Sequence, residues 1–283
     1  MDDLLQIKRT EIIAGMNKEY VFFQISDIHM AVVDTESSQL DISDNIRFHK
    51  QWDSLKYKFA DDAKEFCDER YDIEANELFE KLAEYALEIN SDALILSGDI
   101  MDRVTESNLR YLKQFIKNYP IPVIYCLGNH GYINEFGEHL NQYSRFFGLI
   151  DNPSFDSYDI GELEIVTVDN GTKAITDEQI TNLKNKFAKC KKKILLVLHA
   201  PLNMGDFAKA MKGKISPYFL QGVEGDCKNA FLFNKVVEEN SEKLVAVLAG
   251  HVHFFSEHRI TEKTMQYTTS SGLIGAGRHI IIK

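Results

Sequence analysis

The stretch Tyr20-Val21-Phe22-Phe23-Gln24-Ile25-Ser26-Asp27-Ile28-His29 sets the pattern for the chain. A short, mostly apolar run of this kind is what a strand covered on both faces looks like. It ends abruptly in polar residues, and residues two apart in extended chain point to the same side, so Asp27 and His29 can grip one ion. The arrangement recurs four times. Ala93–Ser97 leads into Gly98-Asp99, Val123–Leu127 into Gly128-Asn129-His130, Ile194–Leu198 into His199, and Leu244–Ala249 into Gly250-His251-Val252-His253. Ligand crevices of open α/β sheets form at the carboxyl ends of strands, so these groups are expected to converge. A lone histidine in such a place is ordinarily a satisfied core or surface residue; five strand ends carrying Asp, Asn or His make a site. Glycine precedes three of the groups, which lets the backbone turn sharply and approach a ligand. His49, His139, His258 and His279 fall outside such ends and are expected at the surface.

The intervening segments have helical period. Ile73 to Ile89 places Leu78, Phe79, Leu82, Ala83, Ala86 and Ile89 on one face. Thr176-Asp-Glu-Gln has the form of a capping box, and Phe231 to Glu239 reads as a third helix. With a sixth apolar run at Glu162–Val168, strands alternating with helices predict an α/β fold with a largely parallel sheet. From Phe254 to Lys283 short antiparallel strands with glycine-rich turns are expected, ending in Ile280–Ile282, so a mixed or second sheet should be present. The 283 residues show no repeat or linker, and one domain over 1–283 is expected. Two connections, Met30–Asp72 with Trp52 and Pro201–Asn229 with Lys209, Lys212 and Lys214, read as long loops that wall the crevice and select the leaving group.

Composition excludes several classes. Lys and Arg number 32 against 43 Asp and Glu, and the formal net charge of −11 repels a polyanion, which disfavours nucleic acid as the partner. No run of 18 apolar residues occurs and the opening MDDLLQIKRTEIIAG lacks a secretory pattern, so a soluble cytoplasmic protein without a membrane span is expected. Cys67, Cys126, Cys190 and Cys227 are scattered, which argues against a disulfide framework and a thiolate zinc knuckle; Cys126, inside an apolar run, is expected in the core. Imidazole and carboxylate without sulfur suit Mn, Fe or Zn in an open site.

Asp27-x-His29, Gly98-Asp99, Gly128-Asn129-His130, His199 and Gly250-His251-x-His253, in this order, resemble the signature of the calcineurin-like metallophosphoesterase superfamily. The resemblance runs from Asp27 to His253. It implies a four-layer α-β-β-α sandwich with two mixed sheets, of metallo-dependent phosphatase type, and two divalent metal ions at the carboxyl ends of the strands. It places Asp27, His29 and His253 on one metal, Asn129, His199 and His251 on the other, and Asp99 between them. Two such ions outweigh the charge of Asp27 and Asp99, so the site would attract a phosphate oxyanion within an acidic protein. Metal coordination brings water toward neutral pKa and can hold the attacking and leaving oxygens.

The implied activity is hydrolysis of small-molecule phosphate esters, mono- or diesters, by a metal-bridging hydroxide. The family's role for His130 is contact with phosphate and protonation of the leaving alkoxide. Gly131 departs from the acidic residue that often follows. Asp102 resembles the second aspartate of a GD-x-x-D form and would orient His130. Arg103 completes a partial likeness to serine/threonine protein phosphatases, where arginine binds phosphate, although Val104 and Met30 break that pattern. Lys209, Lys212 and Lys214 are candidates for a second phosphate. Two alternatives remain. A catalytically silent scaffold would lack ligands, and all are present here; a Mn-dependent nuclease of the same superfamily would need basic surfaces, which the charge opposes.

Overall fold

The structure is a computed structural model that describes residues 4–59, 73–133, 143–146 and 148–283; residues 49, 52–59 and 144 are described by their backbone alone. The first sheet runs β1 (Gln6–Ile12), β11 (Ala276–Ile282), β2 (Tyr20–Ile25), β3 (Ala93–Ser97), β4 (Val123–Cys126). The second runs β5 (Phe155–Ile160), β6 (Leu163–Val168), β7 (Lys193–Val197), β8 (Leu244–Ala249), β10 (Met265–Thr268), β9 (Ser256–Arg259). Strands β2, β3 and β4 are mutually parallel, as are β6, β7, β8 and β10, so the polar strand ends of each sheet lie along one edge.

The apolar runs are apolar throughout because both faces are covered. Phe22, Ile95 and Ile124 of the first sheet meet Ile165, Leu195 and Ala246 of the second in an inter-sheet core. Their neighbours Phe23, Leu94 and Leu96 face outward against Phe79, Leu82 and Ala86 of α2 (Ala75–Glu88) and Leu109 and Leu112 of α3 (Glu106–Asn118). On the far side, Val166, Leu196 and Val247 pack on Ile180, Leu183 and Phe187 of α4 (Asp177–Lys189) and on Phe233 and Val237 of α6 (Lys228–Glu239). The result is the expected α-β-β-α stack. Each Val, Leu, Ile or Phe side chain among these, fully buried, contributes roughly 1.5–3 kcal/mol. The capping box of α4 is formed, with the Gln179 N–H donating to Thr176 Oγ1 at 3.1 Å and the Thr176 N–H to Gln179 Oε1 at 2.9 Å.

The two long connections are corrected in part. Met30–Asp72 contains α1 (Gln39–Phe59). Among its described side chains, Phe48 is buried and the rest of the docking is polar, which leaves little apolar periodicity: Asp41 accepts from Ser107 Oγ at 2.8 Å, and Asp44 and Arg47 pair with residues after β3. Residues 60–72 lie outside the described residues. Pro201–Asn229 contains α5 (Gly205–Met211) and a 3-10 turn at Pro217–Phe219, anchored by buried Phe207, Met211 and Leu220, and its last residues open α6.

The C-terminal expectation holds for β9 and β10, which are antiparallel; β10, however, lies parallel to β8, and β11 joins the other sheet between β1 and β2. Arg278 of β11, fully buried, links the sheets by donating to Glu257 Oε1 of β9 at 2.8 Å and to the Thr268 carbonyl at 2.7 Å. Cys126 is in the core. His258 and His279 are half-buried, ring-packed on Phe207 and Tyr85, and so are not free surface residues. Cys67 and His139 lie outside the described residues, as does the side chain of His49. Among the described residues no helix is long and apolar enough to cross a membrane.

Candidate metal centre

The strand ends of both sheets meet. Ligand-capable atoms of Asp27, His29 and His253 lie within 4.8 Å of one another, and those of Asp99, His199 and His251 form a second such group. In the first group His253 Nε2 is 3.1 Å and His29 Nε2 4.0 Å from Asp27 Oδ1, and the two ring nitrogens face each other at 3.4 Å. In the second, His199 Nε2 is 3.1 Å from both Asp99 Oδ2 and Asn129 Oδ1. His199 Nδ1 sits 2.9 Å from the Ser97 carbonyl, so that nitrogen carries the hydrogen and Nε2 is presented to the group. The convergence of nitrogen and oxygen donors with sulfur absent fits divalent Mn, Fe or Zn.

The backbone at these positions is strained. Seven non-glycine residues among those described have positive φ, and five of them are Asp27 (55°), His29 (52°), Asp99 (51°), His251 (68°) and His253 (57°). The left-handed conformation costs about 1–2 kcal/mol per residue, and strain that concentrates in one place marks a site. It is held by main-chain bonds across strand ends: the Asp27 N–H donates to the Gly98 carbonyl at 3.0 Å, His29 to Asp99 at 2.9 Å and Gly250 to His199 at 3.0 Å. The carboxylates are pinned as well. Asp27 Oδ2 accepts the His251 N–H at 2.9 Å and Asp99 Oδ1 the His130 N–H at 2.8 Å, which leaves each carboxylate's other oxygen toward the histidines.

The three glycines are where they are because side chains press on them. A Cβ on Gly250 would collide with Ser26 Oγ and reach 2.6 Å from Asp27 Oδ2; on Gly128 it would meet the Asp99 carboxylate, and on Gly98 (φ +100°) the His199 ring.

Electrostatics sort the histidines. Burial pulls the His199 pKa down, but Asp99 beside it more than reverses this, raising it to about 9; His130 likewise reaches about 9 through Asp99 and Asp102. Burial dominates at His251, lowered to about 3 with the charge of His199 adding to the effect, and at His29, also lowered. Asp27, Asp99 and Asp102 resist the upward push of burial because histidines surround them, and all three lie well below the ordinary carboxylate range.

Asp102 sits under His130 as expected. His130 Nδ1 is 2.8 Å from the Asp102 carbonyl and 3.2 Å from its Oδ1, which also lies 3.6 Å from His29 Nδ1. The other oxygen of Asp102 is paired with Arg47 of α1, and Arg103 Nε is 3.3 Å from Asp44. A cleft of about 590 Å³ opens over His29, Asp99, Asn129, His130, His251 and His253. Of the three candidate lysines only Lys214 lines it. Lys209 is 80% exposed and pairs with Asp206 at 2.9 Å, and Lys212, directly after α5, is exposed; neither lines the cleft, and Arg103 does not line it either.

Sequence reasoning missed Asp44, Arg47 and the pair Asp169-Asn170. Asn170 Oδ1 accepts the His199 and Ala200 N–H groups at 2.9 and 3.0 Å and so aims the His199 loop. Asp169, buried and raised to about 6 by that burial, accepts from Tyr132 and from the Gly171 N–H at 3.0 Å. Both directly follow the apolar run of β6, the same signal that exposed the other five ends.

Comparison with known proteins agrees with this geometry. Residues 20–255 match the family described as calcineurin-like phosphoesterase. The chain belongs to that family of metal-dependent phosphoesterases. A protein of Fibrobacter succinogenes called a probable cyclic nucleotide phosphodiesterase is 27% identical over 114 residues, which cover 39% of this chain and 42% of that one, so the match spans less than half of the relative. The crystal structure of a dimetal phosphatase from Danio rerio superimposes with a TM-score of 0.55 at 10% identity, covering 91% of each chain, and shares the fold.

Proposed function

We propose that this protein hydrolyses phosphodiesters of small molecules with two divalent cations held by Asp27, His29 and His253 on one side and Asn129, His199 and His251 on the other, with Asp99 between them. The observation that carries the reading is the pair of donor groups whose ligands stand in strained, pinned backbone at the mouth of one cleft. Bound there, such ions supply charge stabilisation to a phosphoryl group and acidify water. The chain's own residues do the rest. His130 lines the cleft with Nδ1 anchored on Asp102, so its ring is fixed and the negative Asp102 supports its proton; it donates to the leaving oxygen. Diesters are favoured over monoesters by the name of the Fibrobacter relative.

The test is removal of metal by chelation followed by return of Mn²⁺, with bis(p-nitrophenyl) phosphate and p-nitrophenyl phosphate as substrates. Hydrolysis should vanish, return with about two ions per chain by elemental analysis, and favour the diester. Two tightly bound ions with no hydrolysis of either ester would point to the silent scaffold.

A further inference from the structure

Beside the donor groups the cleft is walled by apolar, largely aromatic side chains, most of them from the loop the sequence marked as a selector. Ile215, Tyr218, Phe219 and Phe254 face the same 590 Å³ space as His130 and Asn129. Tyr218 is 65% and Phe219 38% exposed, which is unusual for large apolar rings. They do not sit on slack chain. Pro217–Phe219 is a 3-10 turn capped by Ser216, whose Oγ accepts the Tyr218 N–H at 3.3 Å; Leu220 is buried behind it, and Gln221 donates its N–H to the Pro201 carbonyl at 2.9 Å. The Tyr218 ring is braced by the edge of Phe219 (centroids 5.5 Å) and by the Lys173 ammonium at 5.2 Å, and that ammonium is held by Asp226 at 3.1 Å. Phe219 in turn lies 5.3 Å from the His251 ring. An exposed ring held rigid beside a reaction centre loses little entropy on binding a flat partner.

We infer that this wall stacks the base of a nucleoside phosphoester, so that Tyr218 is a specificity-determining residue for a nucleotide substrate. The inference rests on the phosphodiesterase reading and adds to it the class of leaving or flanking group. A nucleobase fits better than a plain aryl ring because polar groups, Ser216 and Lys214, are interleaved with the rings along the wall and match a heteroaromatic edge.

The experiment measures equilibrium binding, independent of turnover, of AMP, ribose 5-phosphate and phenyl phosphate to the Mn²⁺-loaded protein and to its Tyr218→Leu and Tyr218→Phe variants. AMP should bind about tenfold or more tighter than ribose 5-phosphate, since base stacking on one aromatic residue is of that order. Tyr218→Leu should remove most of that ratio and Tyr218→Phe should retain it. Equal affinity for AMP and ribose 5-phosphate, or a ratio untouched by Tyr218→Leu, overturns the inference. Phenyl phosphate binding as tightly as AMP overturns the nucleobase assignment in favour of a simple aryl group. Failure of the phosphodiesterase reading shows separately, as absence of ester hydrolysis by protein whose binding ratio is intact.

Discussion

Replacing Gly250 by alanine tests whether close approach of the two strand ends, and not glycine's flexibility, places Asp27. The φ of Gly250 is not positive, so an alanine there meets no backbone penalty; its Cβ would collide with Ser26 Oγ and lie 2.6 Å from Asp27 Oδ2 and 2.9 Å from Ser26 Cβ. Ser26 is fully buried and its hydroxyl donates to the Ser97 carbonyl at 3.1 Å, so it cannot turn away without losing that bond. Overpacking costs about 1–3 kcal/mol and the lost hydrogen bond about 0.5–1.5 kcal/mol, which together should lower Tm by roughly 3–8 °C in a chain of this length. The control is Gly15→Ala: φ is +73° with no atom within 4 Å of a new Cβ, so only the left-handed backbone term of about 1–2 kcal/mol applies.

Differential scanning calorimetry with and without Mn²⁺ separates the two. Ligand stabilisation follows the logarithm of affinity, so a tenfold weaker site loses about 1.4 kcal/mol of the metal-induced gain. Gly250→Ala should therefore lose both Tm and part of the metal response, and Gly15→Ala only Tm. A Gly250→Ala protein with the full metal response would refute the claim that this contact positions the carboxylate. Loss of the response in Gly15→Ala would show that any destabilisation disables the centre.

Three further outcomes follow from the geometry. Asp99→Asn should reduce bound metal from about two ions per chain to less than one by elemental analysis and lower kcat at least 100-fold; retention of both ions would remove Asp99 from its place between the groups. Arg47→Ala strips one partner from buried Asp102 while leaving every donor atom in place. It should leave metal content unchanged and slow alkyl esters at least tenfold more than nitrophenyl esters, because a good leaving group does not need the proton of His130; equal slowing of both would deny Arg47 a positioning role. In the chelated protein, His130 and His199 have folded pKa values near 9, above their ordinary 6.5. Their stabilisation is complete below pH 6.5 and lost as pH rises through 9, whereas His251, lowered to about 3, takes stability away as pH falls below 6.5. Tm of the chelated protein should peak near neutrality and fall on both sides, and a Tm that rises steadily from pH 6.5 to 9 would contradict the assigned shifts.

The candidate site was legible because its signal is local: apolar strand, turn, donor-capable residue, repeated in one order. Burial of β2, β3, β7 and β8 on both faces forces their residues to be apolar, so each strand end is marked by the change in chemistry itself. Asp169-Asn170 carried the same mark at the end of β6, but as Asp-Asn without histidine it did not look like a ligand, and its work is to hold the His199 loop and not to face the cleft. Helix α1 was not legible because polar contacts to Ser107, Asp102 and Arg103 dock it, and these depend on residues that are far apart in sequence. Among the described strands β1 pairs with β11 alone, some 270 residues away, and it has no apolar run of its own. Among Lys209, Lys212 and Lys214, charge spacing could not say which would face inward, since that depends on where α5 ends.

The opposite shifts of the histidines explain how an acidic chain keeps such a centre folded and ready. Burial alone would strip the proton from every imidazole and place one on every carboxylate. Here Asp27, Asp99 and Asp102 stay ionised, and His199 beside Asp99 and His130 beside Asp102 take up protons as their counter-charge. His251 and His29 gain no comparable offset and stay neutral, with lone pairs available. On the proposed reading, protons and divalent cations would compete for the same oxygen and nitrogen atoms, and cation binding at Asp99 and His199 would replace a positive charge already held there. The strained backbone at five donors then has a consistent reason: bonds from neighbouring strand ends fix the donors before any cation arrives, so binding exchanges one counter-charge for another with little rearrangement of the chain.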